Sequence, residues 1–492
     1  MTERLDALIV GAGISGLSVA HNLQKQKQTG DVASATLRDR PPLKILVTES
    51  QDRVGGNITT VSQGEFLWEE GPNSFAPGKD LLELAVEVGL EKEFVFGDRK
   101  LPRYVYWKGD LIPVPMSPPA LIKTNLLSLP GKLRALFGAL GFVPPAIGHR
   151  LSEQGGEETV SQFFARHLGT EVMQRLVEPF VSGVYAGDPN QLSAAAAFSR
   201  VARMTDTGGG ILAGAVASRR KQPKVKEITD PRVPQTKTGE LGSFKQGLET
   251  LPKAIATKLG DRVKLNWTLK SLQPTQNRTY LAEFATPEGP QQVETRSVTL
   301  TTPAYVAAEL LESWQPEISS DLKAIPYPPV ACVVLAYPLS AFKVNLKGFG
   351  NLIPRSEGIQ TLGTIWASSL FPGRVPQGWQ TLTSFIGGAT NPQIGNYDED
   401  KIVETVHQDI SRILLGPNPP LPKVLTVHLW RRAIPQYNLG HPQKLEKIDR
   451  HLKSAPGLYL CSNYLDGVAL GDCVRRGRQR AEEILRYLLI DN

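Results

Sequence analysis

Three glycines near the N-terminus are spaced so that they can bind a dinucleotide. Gly11, Gly13 and Gly16 form G-x-G-x-x-G between an apolar run, Leu8–Val10, and a helix-like stretch, 15–25. The first glycine allows a tight turn, the second lets a pyrophosphate approach the backbone, and the third lets helix and strand pack closely. Free N–H groups at the helix N-terminus then stabilise negative charge. This context predicts a nucleotide site made by strand, turn and helix.

A carboxylate at the end of the next strand indicates how the nucleotide is recognised. Glu49 follows the apolar segment 43–48, where it can accept hydrogen bonds from a ribose 2′-hydroxyl and would repel a 2′-phosphate. The interval from Gly16 to Glu49 exceeds the roughly 20 residues usual in such units. The polar stretch 24–40 is therefore expected to be a loop inserted after the helix.

A second glycine pair follows soon after that carboxylate. Gly55 and Gly56 allow another close backbone approach, and Arg53 is long enough to reach a phosphate. With Glu49 they form E-x-x-x-R-x-G-G, which resembles FAD-dependent oxidases of the amine-oxidase-like group. This resemblance, rather than the number of glycines, favours FAD over NAD as the cofactor.

The rest of the chain indicates an α/β protein with several lobes. Its 492 residues are enough for two or three domains, and 41% apolar with 21% charged residues are typical of a folded protein. Prolines and helix-like segments over 91–204 predict a mainly helical insertion. Residues 218–239 are rich in Lys, Arg and Pro, which predicts an exposed loop. Alternating strand patterns over 326–386 predict a sheet that carries a substrate pocket.

Composition narrows the possible partners. The formal net charge of +7 suits an anionic substrate or a membrane surface, and equally an ordinary soluble protein. Cys332, Cys461 and Cys473 lack the spacing of a zinc site or a disulfide framework, so no metal is expected. The first strand begins within a few residues of Met1, so no signal or transit peptide is expected. No nucleic-acid partner is expected.

A series of longer motifs resembles one family over nearly the whole chain, the protoporphyrinogen oxidases of plant type. The resemblance starts at Asn57–Thr60 and includes Trp68–Phe75 and Pro102–Arg103. The later motifs are Pro130–Lys132, Glu178–Pro189, Gly242–Phe244, Gly348–Gly350, Leu362–Thr364, Ser369–Pro372, Ala433–Tyr437, Asn463–Tyr464 and Gly467–Leu470.

The resemblance implies an α/β fold in three parts. These are a Rossmann-type FAD-binding domain assembled from separated segments, a mixed-sheet substrate domain and an inserted helical membrane-binding domain. The breaks in the sequence pattern are compatible with this division. The expected parts are 1–90 (FAD-binding, first segment), 91–205 (helical membrane-binding insertion with part of the substrate domain), 206–242 (basic exposed loop and linker), 243–303 (FAD-binding, second segment), 304–425 (substrate domain) and 426–492 (FAD-binding, C-terminal segment).

The resemblance also implies an activity. The family removes six electrons from protoporphyrinogen IX in successive FAD-dependent steps, in heme and chlorophyll biosynthesis. Oxygen is the acceptor and hydrogen peroxide is formed. The cofactor supplies the hydride chemistry, while the protein orients the substrate and excludes water.

The cofactor contacts implied by the family lie in several short segments. Asn73 is expected near the flavin and the reacting carbon, where a neutral amide can position a substrate but is not a useful base. The expected FAD contacts are Gly11, Ala12, Gly13, Ile14, Ser15, Gly16, Glu49, Arg53, Gly55, Gly56, Gly71, Pro72, Asn73, Ser74, Val263, Ser462, Val468, Ala469 and Leu470.

Four residues are expected to bind the substrate. Arg103 can form a bidentate pair with a propionate. Phe371 and Leu352 are expected to hold the macrocycle by stacking and apolar packing, although core packing would explain both residues as well. Gly183 would let the backbone approach the rim of the substrate. The histidines, among them His167, lie outside the motifs and are expected on the surface.

Two segments depart from the plant pattern. Cys461–Ser462 stands where plant relatives tend to have a glycine pair, and the last helix is unusually basic over 473–480. These changes affect the expected geometry around the flavin rather than the reaction class.

Membrane attachment, location and quaternary state are less closely specified. The Pro-rich segment 112–120 and the apolar segment 135–147 can form an apolar face, flanked by Lys123, Lys132 and Arg134, that lies on a membrane surface without crossing it. An ordinary helical core is the alternative. The cytoplasmic face of a bacterial membrane and a plastid membrane are both compatible locations, and a homodimer is compatible with the sequence.

Other functions remain open at this level. Coproporphyrinogen III oxidation uses the same flavin chemistry on a substrate with four carboxylates. An amine oxidase or a carotene desaturase would share the N-terminal half but not the motifs at 102–103 and 369–372. A nonenzymatic FAD- or porphyrin-binding protein would hold its cofactor without being reduced by a porphyrinogen.

Overall fold

The structure is a computed structural model that describes residues 4–25, 42–144, 156–208, 214 and 230–490. Most of the loop predicted at 24–40 and the first part of the basic loop predicted at 218–239 lie outside these residues. The end of the apolar segment 135–147 lies outside them as well.

Strands of the described residues form two seven-stranded sheets and two small strand pairs. The strands are β1 (Leu5–Val10), β2 (Ile45–Thr48), β3 (Thr60–Gln63), β4 (Phe66–Glu69), β5 (Phe94–Gly97), β6 (Arg103–Trp107), β7 (Asp110–Pro113), β8 (Leu241–Phe244), β9 (Val263–Lys264), β10 (Thr268–Pro274), β11 (Tyr280–Thr286), β12 (Gly289–Leu300), β13 (Val330–Pro338), β14 (Gly350–Leu352), β15 (Thr361–Ile365), β16 (Trp379–Gly387), β17 (Lys423–Trp430) and β18 (Leu458–Leu460).

Helices cover both sheets and form a separate helical region between β7 and β8. The α-helices are α1 (Ile14–Lys25), α2 (Lys79–Glu87), α3 (Pro118–Lys123), α4 (Leu129–Ala139), α5 (Val160–Leu168), α6 (Thr170–Val172), α7 (Glu178–Tyr185), α8 (Ala194–Ala197), α9 (Ser199–Gly208), α10 (Thr250–Leu259), α11 (Ala304–Leu311), α12 (Pro316–Lys323), α13 (Ala367–Leu370), α14 (Glu399–Ile413), α15 (His441–Leu452) and α16 (Leu470–Ile490). A π-helical turn, Met173–Val177, joins α6 to α7.

The first sheet has the strand order β10-β11-β12-β1-β2-β9, and β18 pairs beside β12. The strands around β1 are parallel, whereas β10 and β11 form an antiparallel extension. Alternate residues of β1 enter two different cores, because Ala7 and Ile9 face α1, α2, α10 and α16 while Leu8 and Val10 face α11, α12 and α15. This two-sided burial is the reason that Ala7–Val10 is a continuous apolar run.

The second sheet has the order β17-β13-β16-β15-β14-β6-β7 and is antiparallel except where β14 runs alongside β6. On one face, Val333 and Leu335 pack against α14. On the other face, Cys332 and Val334 pack against Phe66 and Trp68 of the β3–β4 pair. That pair therefore packs directly on the second sheet, and it follows the second glycine pair in the chain.

Two of the predicted domain boundaries differ from the observed packing. Helices α11 and α12 pack on the first sheet, so the segment predicted as 304–425 contributes to the second sheet only from β13 onwards. Strand β17 hydrogen-bonds to β13, so the chain returns to the first sheet after Trp430 rather than at 426. Both differences arise because periodicity identifies an element but not the sheet on which it packs.

Candidate functional site

The glycine turn forms where β1 leads into α1. Gly11 has φ +107°, which glycine adopts without strain, and its N–H donates to the Thr48 carbonyl oxygen at 2.7 Å. A Cβ on Gly16 would lie 2.1 Å from the Gly11 carbonyl oxygen, whereas a Cβ on Gly13 would have no atom within 4 Å. The turn is therefore closed on its packing side and open at Gly13, as a pyrophosphate requires.

Glu49 connects this turn to the second strand. Its carboxylate is 8% exposed and accepts hydrogen bonds from the Ala12 N–H at 2.9 Å and the Gln51 N–H at 3.0 Å. Oε1 also accepts from Ser50 Oγ at 3.2 Å, whereas Oε2, which accepts the Ala12 N–H, has a further lone pair with which it can bind a ribose hydroxyl without displacing these bonds. The residues at this end of the sheet thus fit the ribose and pyrophosphate of FAD.

The loop with the second glycine pair lies directly against the turn. The Gly55 N–H donates to the Ala12 carbonyl oxygen at 2.9 Å, and a Cβ on Gly56 would lie 3.5 Å from Gly13 Cα. Both glycines of the pair have positive φ, +109° and +59°. This geometry supports a second close approach of backbone to the cofactor.

Arg53, predicted to contact a phosphate, donates hydrogen bonds to its own loop in the structure. Its guanidinium donates to the carbonyl oxygens of Val54 at 3.3 Å, Ile58 at 3.2 Å and Gly56 at 2.8 Å, and to Thr59 Oγ1 at 2.9 Å. These bonds hold the loop that carries the glycine pair. Carbonyl groups of its own loop therefore engage the guanidinium, and the predicted phosphate contact stays a prediction.

Other expected cofactor residues gather around the same end of the first sheet, where the carboxyl ends of parallel strands meet. Ser462 follows β18 and is half-buried, and Val263 begins β9 opposite Val47 of β2. Ile14 and Ser15 are buried in the first turn of α1.

The segment Glu70–Ser74 runs from the β3–β4 pair past the edge of the second sheet. A Cβ on Gly71 would lie 2.0 Å from the Asn57 carbonyl oxygen. The Trp430 Nε1–H donates at 2.9 Å to the first carbonyl oxygen of the segment. Asn73 is half-buried, and its Nδ2 donates to the Gly71 carbonyl oxygen at 3.1 Å. The amide is thus oriented by its own segment, which supports a positioning role.

Tyr437 fixes the turn that precedes the last helix. Its hydroxyl accepts from the Gly467 N–H at 3.1 Å and donates to the Asn463 carbonyl oxygen. The His441 ring stacks on Tyr437 with centroids 4.4 Å apart and donates through Nε2 to the Tyr464 carbonyl oxygen at 2.9 Å. The expected cofactor contacts Val468, Ala469 and Leu470 follow this turn at the start of α16.

Three expected substrate residues come together at one end of the second sheet. A Cβ on Gly183 in α7 would lie 2.3 Å from Leu352 Cδ2 in β14. Strand β14 runs beside β6, which begins at Arg103. The Arg103 guanidinium lies over the Phe349 ring, 5.2 Å from its centroid, and donates to the Gly239 carbonyl oxygen at 3.3 Å.

Phe371 does not present a free ring face to this region. It is 3% exposed, and the Arg374 guanidinium covers its ring at 4.7 Å. This burial favours the packing alternative for Phe371, and its predicted stacking on the macrocycle stays a prediction.

Phe385 provides the aromatic surface that Phe371 lacks. It is half-buried and packs in one cluster with Leu362 and Trp430. In β16 it lies opposite Gly363, which lies opposite Leu352, so Phe385 and Leu352 share one face of the sheet. Sequence reasoning missed Phe385 because its strand has the pattern of any core strand, and only the register places it beside Leu352.

The histidines are more buried than predicted. His167 and His441 are each 3% exposed, and His21 is 8% exposed. His167 packs against the Phe163 ring at 4.3 Å. The predicted surface location is therefore wrong for these three. Their rings pack in the interior, where His21 has Glu87 as a hydrogen-bond partner and His441 has the Tyr464 carbonyl oxygen.

Comparison with known proteins agrees with this geometry. The profile of the family described as flavin containing amine oxidoreductase matches residues 14–485. The chain is 44% identical over 493 residues to the chloroplastic protoporphyrinogen oxidase 1 of Spinacia oleracea, covering 98% of this chain and 84% of the relative. It is 28% identical to the coproporphyrinogen III oxidase of Bacillus subtilis, covering 98% of each chain. A crystal structure of a candidate protoporphyrinogen oxidase from Exiguobacterium sp. 255-15 superposes with a TM-score of 0.75 at 22% identity, covering 99% of this chain and 100% of that one.

We expect two single-methyl changes in the glycine turn to have different effects. Gly13→Ala meets no neighbouring atom, so stability should stay unchanged while the dissociation constant for FAD rises by at least about tenfold, since the methyl group occupies the pyrophosphate space. Gly16→Ala collides with backbone and should also lose about 2–4 kcal/mol of unfolding free energy. FAD titration and urea unfolding of the apoprotein measure both. Unchanged FAD affinity in Gly13→Ala would contradict the assigned site.

His441 should make the stability depend on pH. Burial lowers the pKa of His441 to about 4, against 6.5 in the unfolded chain. Between these values only the unfolded chain takes up the proton, so the unfolding free energy should fall by up to about 3 kcal/mol as the pH drops from 6.5 to 4. His441→Gln should flatten this part of the profile in chemical denaturation at several pH values. An identical slope in the variant and the parent would exclude this contribution.

Proposed function

The chain belongs to the flavin-containing amine oxidoreductases, and we propose that it oxidises protoporphyrinogen IX to protoporphyrin IX with FAD as cofactor and oxygen as acceptor. The observation that carries the proposal is the 44% identity to the spinach enzyme over 98% of this chain. The family-like motifs 68–75 and 178–189 both contact the face of the second sheet that carries Cys332, Phe385 and Leu352.

The oxidation requires three two-electron steps. In each step a meso carbon of the macrocycle loses a hydride and the macrocycle loses one proton. Two of the three protons come from pyrrole nitrogens and the third, after tautomerisation, from a meso carbon, so four meso hydrogens and two N–H hydrogens leave the substrate in total. When bound, FAD accepts the hydride and passes the two electrons to oxygen, which is reduced to hydrogen peroxide. The protein holds the ring at hydride-transfer distance and excludes water.

Residues at the end of the second sheet support this role. Arg103 is half-buried at the start of β6, where its guanidinium can pair with a propionate. Leu352 and Phe385 share one sheet face, which suits apolar packing and stacking against a macrocycle. Gly183 leaves room for the ring edge, and the Asn73 amide can orient the reacting carbon without acting as a base.

The apolar side chains beside the predicted substrate position favour a substrate with two carboxylates over one with four. Leu352, Leu362 and Phe385 are uncharged, which suits the vinyl groups of protoporphyrinogen better than the two extra propionates of coproporphyrinogen. The lower identity to the bacterial coproporphyrinogen III oxidase agrees with this preference.

We expect protoporphyrinogen IX, mixed with the FAD-loaded protein in air, to give porphyrin fluorescence much faster than coproporphyrinogen III does. Arg103→Ala should raise KM by about 10–100-fold, because it removes a charge-assisted hydrogen bond. Arg99→Ala, an exposed arginine just before β6, is the matched control and should change little. If neither porphyrinogen reduces the bound flavin, the protein is not a porphyrinogen oxidase.

We also propose that the helical region binds a membrane surface. Ile122 is 73% exposed, Leu129 71% and Phe142 70%, and these apolar side chains lie on or next to α3 and α4. No described helix is long and apolar enough to cross a bilayer. The expected basic flank is only partly available, because Arg134 donates to the carbonyl oxygens of Arg166 and His167 instead.

The membrane proposal agrees with either location considered from the sequence, a bacterial cytoplasmic membrane face or a plastid membrane. The relative from spinach carries a chloroplastic name, which supports the plastid membrane. The homodimer considered from the sequence is a further proposal, and the oligomeric state is to be measured together with activity.

Charge placed on the exposed helices should abolish membrane binding. We expect the parent protein to float with vesicles that contain acidic lipids, and the double variant Ile122→Asp, Phe142→Asp to remain at the bottom of the gradient. Leu421→Asp is the control, since Leu421 is 85% exposed outside this helical region, and it should float like the parent. A parent protein that stays at the bottom would refute the membrane proposal.

A further inference from the structure

A buried arginine from the second sheet reaches across to the segment Glu70–Ser74. Arg374 follows the motif that contains Phe371, and its side chain is only 5% exposed. An arginine is rarely buried this far unless its charge and donors are satisfied. Its contacts therefore indicate what the side chain is for.

The first contact lies immediately before the segment. Arg374 Nη1 is 3.5 Å from Glu69 Oε1, and the Glu69 side chain is 1% exposed. Glu69 also accepts hydrogen bonds from Thr60 Oγ1 at 2.6 Å and from the Leu248 N–H at 3.0 Å. This carboxylate thus joins Arg374 to β3 and to the entry of α10.

The second contact fixes the other end of the segment. Arg374 Nη2 donates to Ser243 Oγ at 2.7 Å and to the Phe244 carbonyl oxygen at 3.1 Å, both in β8. The neighbouring residue in β8, Gly242, exchanges two backbone hydrogen bonds with Phe75, at 2.9 Å and 2.8 Å. Phe75 is the residue immediately after the segment.

A planar guanidinium can make both contacts at once because its donors diverge in a rigid fork. The plane also lies over the Phe371 ring at 4.7 Å, and the Arg374 carbonyl oxygen accepts the Leu67 N–H at 2.9 Å. The guanidinium is therefore held over Phe371 and the Arg374 backbone is held by β4, while the side chain contacts the groups at the two ends of the segment.

From this geometry we propose that Arg374, paired with Glu69, is a positioning residue that clamps both ends of the segment Glu70–Ser74 and so sets the position of Asn73 relative to the flavin and the reacting carbon. The proposal rests on the proposed function for the identity of that carbon, whereas the clamp itself rests on the contacts described. Arg374 touches neither reactant and acts through the segment.

Burial of the pair explains why the clamp needs both partners. Burial raises the pKa of Glu69 to about 7, against the lowering effects of the Thr60 hydrogen bond and the Arg374 charge. Burial likewise lowers the pKa of Arg374. Removing one partner leaves the other charge buried without compensation, which displaces the chain around it.

The test compares three clamp variants with one control in the FAD-loaded protein. Arg374→Met removes the charge and the fork, Arg374→Lys keeps the charge but not the fork, and Glu69→Gln keeps the shape but not the charge. Lys245→Met is the control, because Lys245 follows β8 and forms an exposed pair with Glu93 at 3.8 Å. Visible circular dichroism of the flavin, kcat, KM and the melting temperature are measured for each.

Arg374→Met should change the visible circular dichroism of the flavin and lower kcat by about 100-fold, while KM stays within about threefold, since a displacement of about 1 Å near reacting atoms has this effect. Arg374→Lys should regain most of the melting temperature yet keep kcat about tenfold low, because a point charge cannot hold both ends. Glu69→Gln should resemble Arg374→Lys, and Lys245→Met should match the parent.

The proposal is overturned if Arg374→Lys binds FAD with the parent's flavin dichroism and kcat, whether or not Arg374→Met folds. It is also overturned if the variants lose melting temperature alone, since that indicates a purely structural ion pair. If the parent protein oxidises no porphyrinogen, the proposed function fails, while the flavin dichroism of the variants still decides whether the clamp exists.

Discussion

The contact between α1 and β1 at Gly16 is the constraint on which the cofactor half of the structure depends. A side chain at Gly16 would meet the Gly11 carbonyl oxygen. Because glycine has none, α1 packs close to the turn and its free N–H groups point at the turn. Glu49 then reaches the same turn through the Ala12 N–H. Neither contact tolerates displacement, so the surrounding strands must keep one register.

Separated segments of the chain meet because the first sheet has two apolar faces. Helices from the N-terminal, middle and C-terminal parts cover one face, and helices that follow β12 and β17 cover the other. The closing helix α16 packs beside α1 and brings Val468 to Leu470 towards the glycine turn. A site made from distant segments is thus a consequence of how each face is buried.

The chain beside the second sheet and the turn before α16 are positioned by buried polar groups that pair with one another. Arg374 and Glu69 are buried together, and the Tyr437 hydroxyl bridges Asn463 and Gly467. Such groups are costly unless paired, so each pairing restricts the position of the chain nearby. The apolar side chains that remain exposed on α3 and α4 lie outside this network, which agrees with a separate task for the helical region.

The glycine motif, Glu49 and the family motifs were readable from the sequence because their chemistry depends on local spacing. Phe385, the buried histidines and the pairing of β17 with β13 were not, since a core strand and a pocket strand have the same apolar pattern until register is known. Arg53 and Phe371 were assigned by motif, yet neighbouring carbonyls and Arg374 engage them. The sequence by itself therefore determined the cofactor class and the family, whereas tertiary structure decided which polar and aromatic side chains are already engaged by neighbouring groups, because only packing brings those groups together.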